Sequence, residues 1–340
     1  MTTYKGINGF AVQSVASDPS PLDEGQVWYN NATYAFKIAA VTTAGTFAAG
    51  GNLNNGGVIG AVAGTQTATV AFGRIVFTPA TPSNVTQNYT ELYNGTSWTS
   101  NPTGLNTARV SNGGAGTQTA ALAFLGYQQP PDSFTNVSES WNGSSWTNTP
   151  NANTARGQVA GFGTNTAAVA AGGYFTSLLG TTELWNGSSW TSNPTGLNTA
   201  RYVLGGVGIQ TAGLAFGGSA GPNFDPTGVT ESWNGSVWTN VNSMNTARYG
   251  LAGFGTQTSA VGAGGESNSI IATEIWNGTS WTSNPNGLAT GRYNSKGSGT
   301  QASGLVSGGS VNPTPVPTAF TGTEEWTGPG VPLTQTITTS

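Results

Sequence analysis

The stretch Glu231-Ser232-Trp233-Asn234-Gly235-Ser236-Val237-Trp238-Thr239 decides the fold of this chain. Its Asn-Gly pair is a strong short-range signal for a β-hairpin, and it predicts a type I′ turn with positive φ at both central residues. Further copies, the last one truncated, give the chain a period of 43 to 50 residues; they lie at 91–99, 139–147, 183–191, 274–282 and 324–328. A period of this size is typical of propellers and solenoids, in which each unit buries its apolar face against its neighbours.

Each repeat contains four short predicted strands, which we name a to d in chain order. Strand a follows an Asn-Thr-Ala-Arg element, and a Gly-Thr-Gln-Thr-like turn leads from it into a small, apolar strand b. Strand c carries the Glu-x-Trp sequence, and strand d begins at the second Trp. Glycine normally weakens a strand, but inner strands that crowd around an axis leave no room for large side chains. We expect the Trp residues to form the core between repeats, each ring burying roughly 150–250 Å².

The order of these elements resembles the kelch repeat: a Gly pair, an aromatic residue, a Trp five residues later and then Leu/Met-Asn-Thr-Ala-Arg. The resemblance covers residues 53–327, although this chain has less charge and more Gly, Ala and Thr than typical kelch units. It implies an all-β fold, a six-bladed kelch-like β-propeller of four-stranded blades. The last repeat lacks its own strand d, so we expect the segment around Phe47 to supply it. The N- and C-terminal strands would thereby close the ring and remove an open sheet edge.

The chain outside the repeats suggests where the protein attaches. We predict an N-terminal attachment or hairpin segment at 1–36, the propeller at 37–327 and a C-terminal tail at 328–340. The run Glu24-Gly25-Gln26-Val27-Trp28-Tyr29-Asn30 resembles a segment found near the N-termini of many tailed-phage structural proteins. This resemblance covers some dozen residues and implies attachment to other virion proteins. An ordinary hairpin that caps the propeller is the alternative.

The composition excludes several classes of function. Nine Lys and Arg against 13 Asp and Glu give a net charge of −4, and only 6% of residues are charged, compared with about 25% in typical proteins. Nucleic-acid binding needs clustered cations, and a membrane span needs about 18 consecutive apolar residues. The chain contains neither Cys nor His, and His is the commonest general base and metal ligand. We therefore predict no nucleic-acid partner, no membrane span, no metal, no cofactor and no enzymatic activity.

The charged residues of the repeats indicate scaffold rather than catalysis. Catalysis needs an asymmetric set of acid, base and nucleophile, whereas these residues recur five or six times. We expect them to form a structural ring of Arg–Glu pairs near one rim of the propeller, with no catalytic residue. The ring comprises Arg109, Arg156, Arg201, Arg248 and Arg292 together with Glu91, Glu139, Glu183, Glu231, Glu274 and Glu324.

The connections between strands b and c differ most among the repeats. The strand order places them on the face opposite the a–b and c–d turns, and diverse loops on a uniform scaffold are where binding usually resides. The alternative explanation of this divergence is neutral sequence drift in loops that have no function. The two longest connections, 74–90 and 310–323, are the first candidates for partner contact. The aromatic binding candidates in all these loops are Phe77, Tyr89, Tyr127, Phe134, Tyr174, Phe175, Phe224 and Phe320.

Together these features predict a non-enzymatic phage virion structural protein. It would be a tail, fibre or capsid-surface propeller, located in the virion, that mediates assembly or contact with a host-surface glycan or protein. An extracellular or cell-surface location is the alternative. A lectin-like, glycan-binding propeller module and a polysaccharide-acting hydrolase are the alternative functions. The sequence leaves a homo-oligomer open.

Overall fold

The computed structural model of the protein describes residues 4–7, 10–20, 25–41, 44–76, 85–221, 223–266, 271–311, 318–330 and 332–337. These residues form strands, turns and connections, with no helix among them and hence none that could cross a membrane. They divide into two compact units. One is Phe47–Trp326, and the other combines Met1–Thr46 with Thr327–Ser340.

These bounds differ from the predicted ones at both ends. Residues 37–46, which we expected to belong to the repeats, lie in the N-terminal unit. The predicted C-terminal tail contains the strand Pro332–Thr336, which pairs with Ala35–Val41 in an antiparallel ladder. This pairing joins the two ends of the chain in one sheet, so residues 332–336 have a structural partner and are not a tail.

The repeats form four-stranded sheets, as the sequence predicts; six such sheets lie in the described residues, each with its strands in the order a, b, c, d. Pairing is antiparallel throughout sheets 1 to 5, which we number along the chain. Sheet 1 contains Val58–Thr65, Ala68–Val76, Val85–Tyr93 and Trp98–Asn101. Sheet 2 contains Gly113–Thr117, Ala120–Phe124, Ser138–Trp141 and Trp146–Thr149. Sheet 3 contains Ala160–Gly163, Ala168–Ala171, Thr182–Trp185 and Trp190–Asn193.

The remaining sheets follow the same plan, a repeated arrangement consistent with a propeller-like fold. Sheet 4 contains Gly205–Ile209, Ala212–Phe216, Thr230–Trp233 and Trp238–Val241. Sheet 5 contains Ala252–Thr256, Ser259–Ala263, Thr273–Trp276 and Trp281–Asn284. Sheet 6 contains Lys296–Gly299, Ser303–Ser307, Thr323–Thr327 and, as its strand d, Thr46–Ala49. Short two-stranded ladders occur in two b–c connections, Tyr127–Gln128 with Ser133–Phe134 and Ser310–Val311 with Thr318–Ala319.

The c–d hairpin closes through a different turn from the expected type I′. In sheet 2 the paired residues Trp141 and Trp146 enclose four residues, so the turn is longer than two residues. Gly143 has a positive φ of 95°, but Asn142 does not. The Asn142 side chain instead accepts hydrogen bonds at 2.9 Å from the backbone N–H groups of Ser144 and Ser145. Asparagine therefore acts here through its side-chain oxygen rather than through a left-handed backbone.

The Trp residues form the core, as predicted. All ten Trp residues of the repeats are at most 6% exposed. The second Trp of one sheet packs on a Phe of the preceding sheet, with ring centroids 4.8 Å apart for Phe72 and Trp146 and 4.9 Å for Phe124 and Trp190. Each sheet thus buries its aromatic face against the next one, which is the reason that a single repeat is not a stable unit.

Polar side chains also connect successive sheets. The indole N–H of the second Trp donates to a Thr or Ser hydroxyl on strand c of the preceding sheet, as Trp146 does to Thr90 at 2.9 Å. The Gln of the a–b turn donates to carbonyl oxygens of the preceding sheet, as Gln118 does to Tyr93 at 2.6 Å. The same contacts join sheet 1 to sheet 6. Gln66 donates to the Trp326 carbonyl at 2.8 Å, and Trp98 donates to the Thr323 hydroxyl at 2.9 Å.

Strand d of sheet 6 comes from the N-terminal side of the repeats, where the sequence predicts it. The Phe47 ring lies 4.9 Å from the Trp326 ring, in the place that the second Trp occupies in the other sheets. The Gly50 N–H then donates to the Thr323 carbonyl at 2.9 Å. Residues from the two ends of the repeat region therefore share one sheet.

The N-terminal unit contains a five-stranded sheet. Its order is Tyr4–Ile7, Phe10–Val15, Val27–Asn30, Ala35–Val41 and Pro332–Thr336, with one parallel pairing between Phe10–Val15 and Val27–Asn30. Asp18 accepts hydrogen bonds from the indole of Trp28 at 3.0 Å, from the amide of Asn30 at 2.7 Å and from the amine of Lys37 at 2.9 Å. The Trp28 and Asn30 side chains are therefore fixed by one carboxylate. Glu24, at the other end of the segment 24–30, lies outside the described residues.

Candidate functional site

Each of the six sheets contains one buried Arg–Glu ion pair. The guanidinium and carboxylate groups are at most 7% exposed, and five of the pairs join the residues that the sequence singles out. They are Arg109–Glu139, Arg156–Glu183, Arg201–Glu231, Arg248–Glu274 and Arg292–Glu324. The sixth pair, Arg74–Glu91, uses an arginine that sequence reasoning assigned to a loop.

The Asn-Thr-Ala-Arg element wraps around the glutamate of its own sheet. In sheet 3 the backbone N–H groups of Asn153 and Thr154 donate to Glu183 at 2.7 and 3.3 Å, and Arg156 donates to the same carboxylate. Arg156 also donates to the carbonyl oxygens of Thr154 at 2.9 Å and Gly172 at 2.9 Å. The carboxylate is thus saturated with donors, and a buried charge with such partners is stable.

The electrostatics of these pairs fit a structural role. Burial lowers the pKa of Arg201 to about 10, against the opposing effect of Glu231. The guanidinium therefore remains charged at neutral pH. In this pair Nη1 lies 2.9 Å from the carboxylate oxygen without the alignment of a hydrogen bond. Both side chains of the pair are fully buried, so a substrate in solution cannot reach them.

The a–b and c–d turns lie at one end of each sheet, and the b–c connections lie at the other end. The c–d turn contacts the a–b turn, since a Cβ added at Gly143 would lie 3.3 Å from the Thr119 carbonyl oxygen. The beginning of the b–c connection instead bridges to the residue that follows the repeated Arg, as in Gly157 with Tyr174. We call the side that carries the b–c connections and the beginnings of strands a the loop face.

A continuous row of aromatic rings lies on the loop face. We name it the aromatic arc; it consists of Tyr127, Phe134, Tyr174, Tyr202, Phe224 and Tyr249. Successive ring centroids are 5.2, 6.0, 5.5, 5.3 and 5.4 Å apart, so every ring contacts the next. The arc extends over sheets 2 to 5. At its end, burial and then Glu266 raise the pKa of Tyr249 to about 12.

A cavity of about 320 Å³ opens against the aromatic arc. Its lining is five arc residues and two polar ones, namely Tyr127, Phe134, Tyr174, Tyr202, Phe224, Ser111 and Gln158. Ligand sites are commonly concave, largely apolar and of at least about 300 Å³, with a few placed polar groups. This cavity has all three properties, and no charged side chain lines it.

The two polar residues belong to a belt of left-handed backbone that connects the sheets. Ser111, Gln158, Val203, Gly250 and Asn294 are the second residues after the repeated Arg, with φ between 53° and 66°. The N–H of each of the last four donates to the carbonyl of the one before it, at 2.7, 2.9, 2.8 and 2.6 Å. Non-glycine residues adopt this conformation rarely. Here the hydrogen bonds of the belt fix it, and they hold Ser111 and Gln158 at the cavity.

The other binding candidates lie apart from the cavity. Phe175 is 45% exposed and touches the Phe134 ring at 5.9 Å without lining the cavity. Tyr89 is exposed on strand c of sheet 1, and Phe320 lies under the guanidinium of Arg292, 4.9 Å from ring centroid to Cζ. Phe77 lies outside the described residues.

The connection 74–90 is shorter than the sequence indicates. Strand b of sheet 1 continues to Val76 and strand c begins at Val85, so residues 77–84, which lie outside the described residues, separate the two strands. Residues 312–317 of the connection 310–323 also lie outside the described residues. Arg74 is not a loop residue, because its side chain is buried beside Glu91.

Sequence reasoning missed four residues of the arc and its cavity: Ser111, Gln158, Tyr202 and Tyr249. They occupy the first two positions after a repeated Arg, which read as the uniform part of the repeat. A signal was present, since an aromatic residue follows the repeated Arg in sheets 4, 5 and 6 but not in sheets 2 and 3. Such a difference within an otherwise uniform element marks a place where the scaffold varies.

A second, narrow space of about 70 Å³ lies between the a strands of all six sheets. Its lining is mostly Gly and small residues, with one cation, Lys296. Burial lowers the pKa of Lys296 to about 8, although part of the side chain remains exposed to this space. The equivalent position is Gly113 in sheet 2 and Ala160 in sheet 3.

Comparison with known proteins adds no assignment to this geometry. No protein-family model matches the chain, and no curated protein matches its sequence. Among the residues that the structure describes, no three acidic side chains converge as metal ligands would. The aromatic arc and its cavity are therefore the candidate functional site.

Proposed function

We propose that the protein is a non-enzymatic structural protein of a tailed-phage particle that contacts a partner through its loop face. The observation that carries the proposal is the aromatic arc. In Phe47–Trp326 the exposed aromatic side chains among the described residues are Phe175 and Phe224 in b–c connections and Tyr89 on strand c of sheet 1. Exposed aromatic area on a rigid scaffold is typical of binding surfaces.

A kelch-like, six-bladed ring is the architecture that we propose for the repeats. The hydrogen bonds from Gln66 and Trp98 to sheet 6 support it, as does the space lined by strands a of all six sheets. The strand Thr46–Ala49 supports closure by the two ends of the repeat region. Electron microscopy of the purified protein should show a disc with six-fold pseudosymmetry, and an open or five- or seven-part particle would contradict it.

The repeated carboxylates favour a binding protein over a hydrolase. A general acid or nucleophile needs an accessible carboxylate near the substrate. The six repeated glutamates are instead buried against arginines, and the carboxylate of Glu183 also accepts two backbone hydrogen bonds. Saturated carboxylates of this kind stabilise the fold and are not poised for proton transfer.

Attachment to the particle is proposed for the N-terminal unit. Its phage-like segment supplies Trp28 and Asn30, which are buried and bonded to Asp18. These contacts support a folded unit with its own sheet rather than an unstructured leader. Other virion proteins are the partners that the resemblance implies for this unit.

Mass spectrometry of purified phage particles tests the proposal. We expect peptides of this chain in particles, and we expect their loss when residues 1–44 are deleted from the gene in the phage genome, a deletion that leaves the strand Thr46–Ala49 in place. A point variant on the loop face, such as Phe224→Ala, serves as a control that should remain in the particle. Absence of the wild-type protein from purified particles would contradict the function.

A further inference from the structure

We propose that the cavity against the aromatic arc binds a neutral saccharide. The inference rests on the proposed function, since it takes the loop face as the contact face and names the class of its ligand. Three properties of the cavity carry it: the shape of its aromatic wall, its two unpaired polar groups and the absence of charge among its lining residues.

The aromatic wall fits the apolar face of a sugar ring. Successive rings from Tyr127 to Phe224 are inclined to each other by 40° to 59°, so they form a curved wall rather than a flat stack. Phe224 remains 47% exposed although it contacts two tyrosines. The C–H groups of a pyranose can pack on such rings, and the hydroxyl groups at its edge then face the polar side chains.

The polar groups of the cavity are available for a ligand. Neither the Ser111 hydroxyl nor the Gln158 side-chain amide bonds to another of the described residues. Their backbones are nevertheless fixed, because the Gln158 N–H donates to the Ser111 carbonyl at 2.7 Å. An apolar ligand would bury these groups without hydrogen-bond partners, which weakens its binding. A ligand with many hydroxyl groups would satisfy them.

The charge distribution excludes an anionic ligand. All six arginines are paired with buried glutamates, Lys37 is paired with Asp18, and Lys296 lies between the a strands. The ninth cation, Lys5, belongs to the N-terminal unit. Phosphate, sulfate and carboxylate groups are recognised by cations, and none lies at the cavity. The saccharide is therefore an uncharged one.

The test is direct binding of the purified full-length protein to an array of neutral saccharides with terminal glucose, galactose, mannose, N-acetylglucosamine and N-acetylgalactosamine. Isothermal titration then gives the Kd of the best saccharide. We expect Tyr174→Ala and Gln158→Gly to weaken binding at least tenfold; Gly tolerates the φ of 60° at position 158. The matched control is Phe175→Ala, which removes the neighbouring exposed ring and should change the Kd less than twofold.

Two results would overturn the inference. One is the absence of saturable binding of any neutral saccharide up to millimolar concentration, and the other is wild-type affinity in both cavity variants. A peptide that binds in place of a saccharide and is lost in the same variants would assign the cavity to a protein partner instead. Thermal melting identifies a cavity variant that has unfolded. The Kd of the other cavity variant then decides whether the cavity binds the saccharide. Mass spectrometry of particles decides the proposed function separately, since saccharide binding can fail while the protein is still found in the particle.

Discussion

Arg74 and Glu91 form the ion pair of sheet 1, with Nη1 and Oε1 3.0 Å apart, although the arginine comes from strand b rather than from the segment before strand a. Gly57 makes room for this substitute, because a Cβ there would lie 2.9 Å from Arg74 Cγ. Sheet 1 thus keeps the pair while changing the position that supplies the cation. The buried glutamate needs a cationic partner, and the chain supplies an arginine either from strand b or from the segment before strand a.

Removing one arginine should therefore destabilise the fold strongly. We expect Arg74→Ala and Arg156→Ala each to lower the free energy of unfolding by roughly 3–5 kcal/mol, because a buried carboxylate loses its partner. Urea denaturation measures the loss. The double variant Arg156→Met/Glu183→Gln is the control and should recover much of it, since no unpaired charge remains and the glutamine oxygen can still accept from the Asn153 and Thr154 N–H groups. An Arg156→Ala variant with wild-type stability would show that the pair is dispensable.

The strand Thr46–Ala49 should be needed for solubility. We expect a fragment of residues 51–330 to aggregate, because strand c of sheet 6 then becomes an open edge. A fragment of residues 45–330 keeps the strand and differs by only six residues, so it should remain monomeric and cooperative in melting. Size-exclusion chromatography and thermal melting distinguish the two fragments. Equal behaviour of both would contradict the role of this strand.

Lys296 should make stability depend on pH. Its folded pKa of about 8 lies below the usual lysine value of 10.5, because burial disfavours the charged form, so the folded state binds the proton less tightly than the unfolded state. The loss of folding stability that comes from burying the charged amine is complete below about pH 8, and it diminishes as the pH rises towards 10.5. We expect Lys296→Ala to raise the free energy of unfolding at pH 7 by roughly 1–3 kcal/mol, at about 1.4 kcal/mol per pKa unit. Denaturation of both proteins at pH 7 and pH 10 tests this; a constant difference would contradict it.

The N-terminal unit should loosen in acid. The hydrogen bonds from Lys37, Asn30 and Trp28 lower the pKa of Asp18 from 3.8 to about 2. A carboxylate whose pKa is lowered by folding stabilises the folded state when the pH is above its pKa in the unfolded chain. This stabilisation is lost as the pH falls from about 4 to 2. Trp fluorescence should be followed during acid titration of the wild type and of Asp18→Asn. The other Trp residues contribute equally to both curves, so the difference between the curves reports the surroundings of Trp28. Identical acid titrations of wild type and Asp18→Asn would contradict the assignment.

The repeat unit could be predicted because its signals are local. Asn-Gly turns, Gly-rich inner strands and paired Trp residues each depend on a few neighbouring residues, and the observed strands start at the predicted Trp98, Trp146, Trp190, Trp238 and Trp281. The turn type was wrong, because the side chain of Asn142 and its equivalents provides an alternative to a left-handed backbone. The division of the chain also differed, because the pairing of Pro332–Thr336 with Ala35–Val41 joins residues almost 300 positions apart.

The candidate site could be predicted only in part. Tyr127, Phe134, Tyr174 and Phe224 stood out because they interrupt a uniform pattern. Their assembly into one arc depends on how successive sheets lie beside one another, which no local sequence signal encodes. Tyr202, whose ring joins Tyr174 to Phe224, was missed because it follows the repeated Arg and reads as part of the uniform element, although the aromatic residue at this position in sheets 4 to 6 was a signal.

The belt of left-handed residues gives the repeat a direction. The N–H groups of Gln158, Val203, Gly250 and Asn294 donate to the preceding sheet, and the glutamine amides and the indoles of the second Trp residues donate in the same direction. Each sheet thus presents hydrogen-bond donors to the preceding sheet and the matching acceptors to the following sheet. An extra copy inserted by duplication of one 43- to 50-residue period would find matching partners on both sides. Genes built in this way can gain or lose whole copies by recombination without evolving a new interface, and the loops of each new copy are then at liberty to diverge.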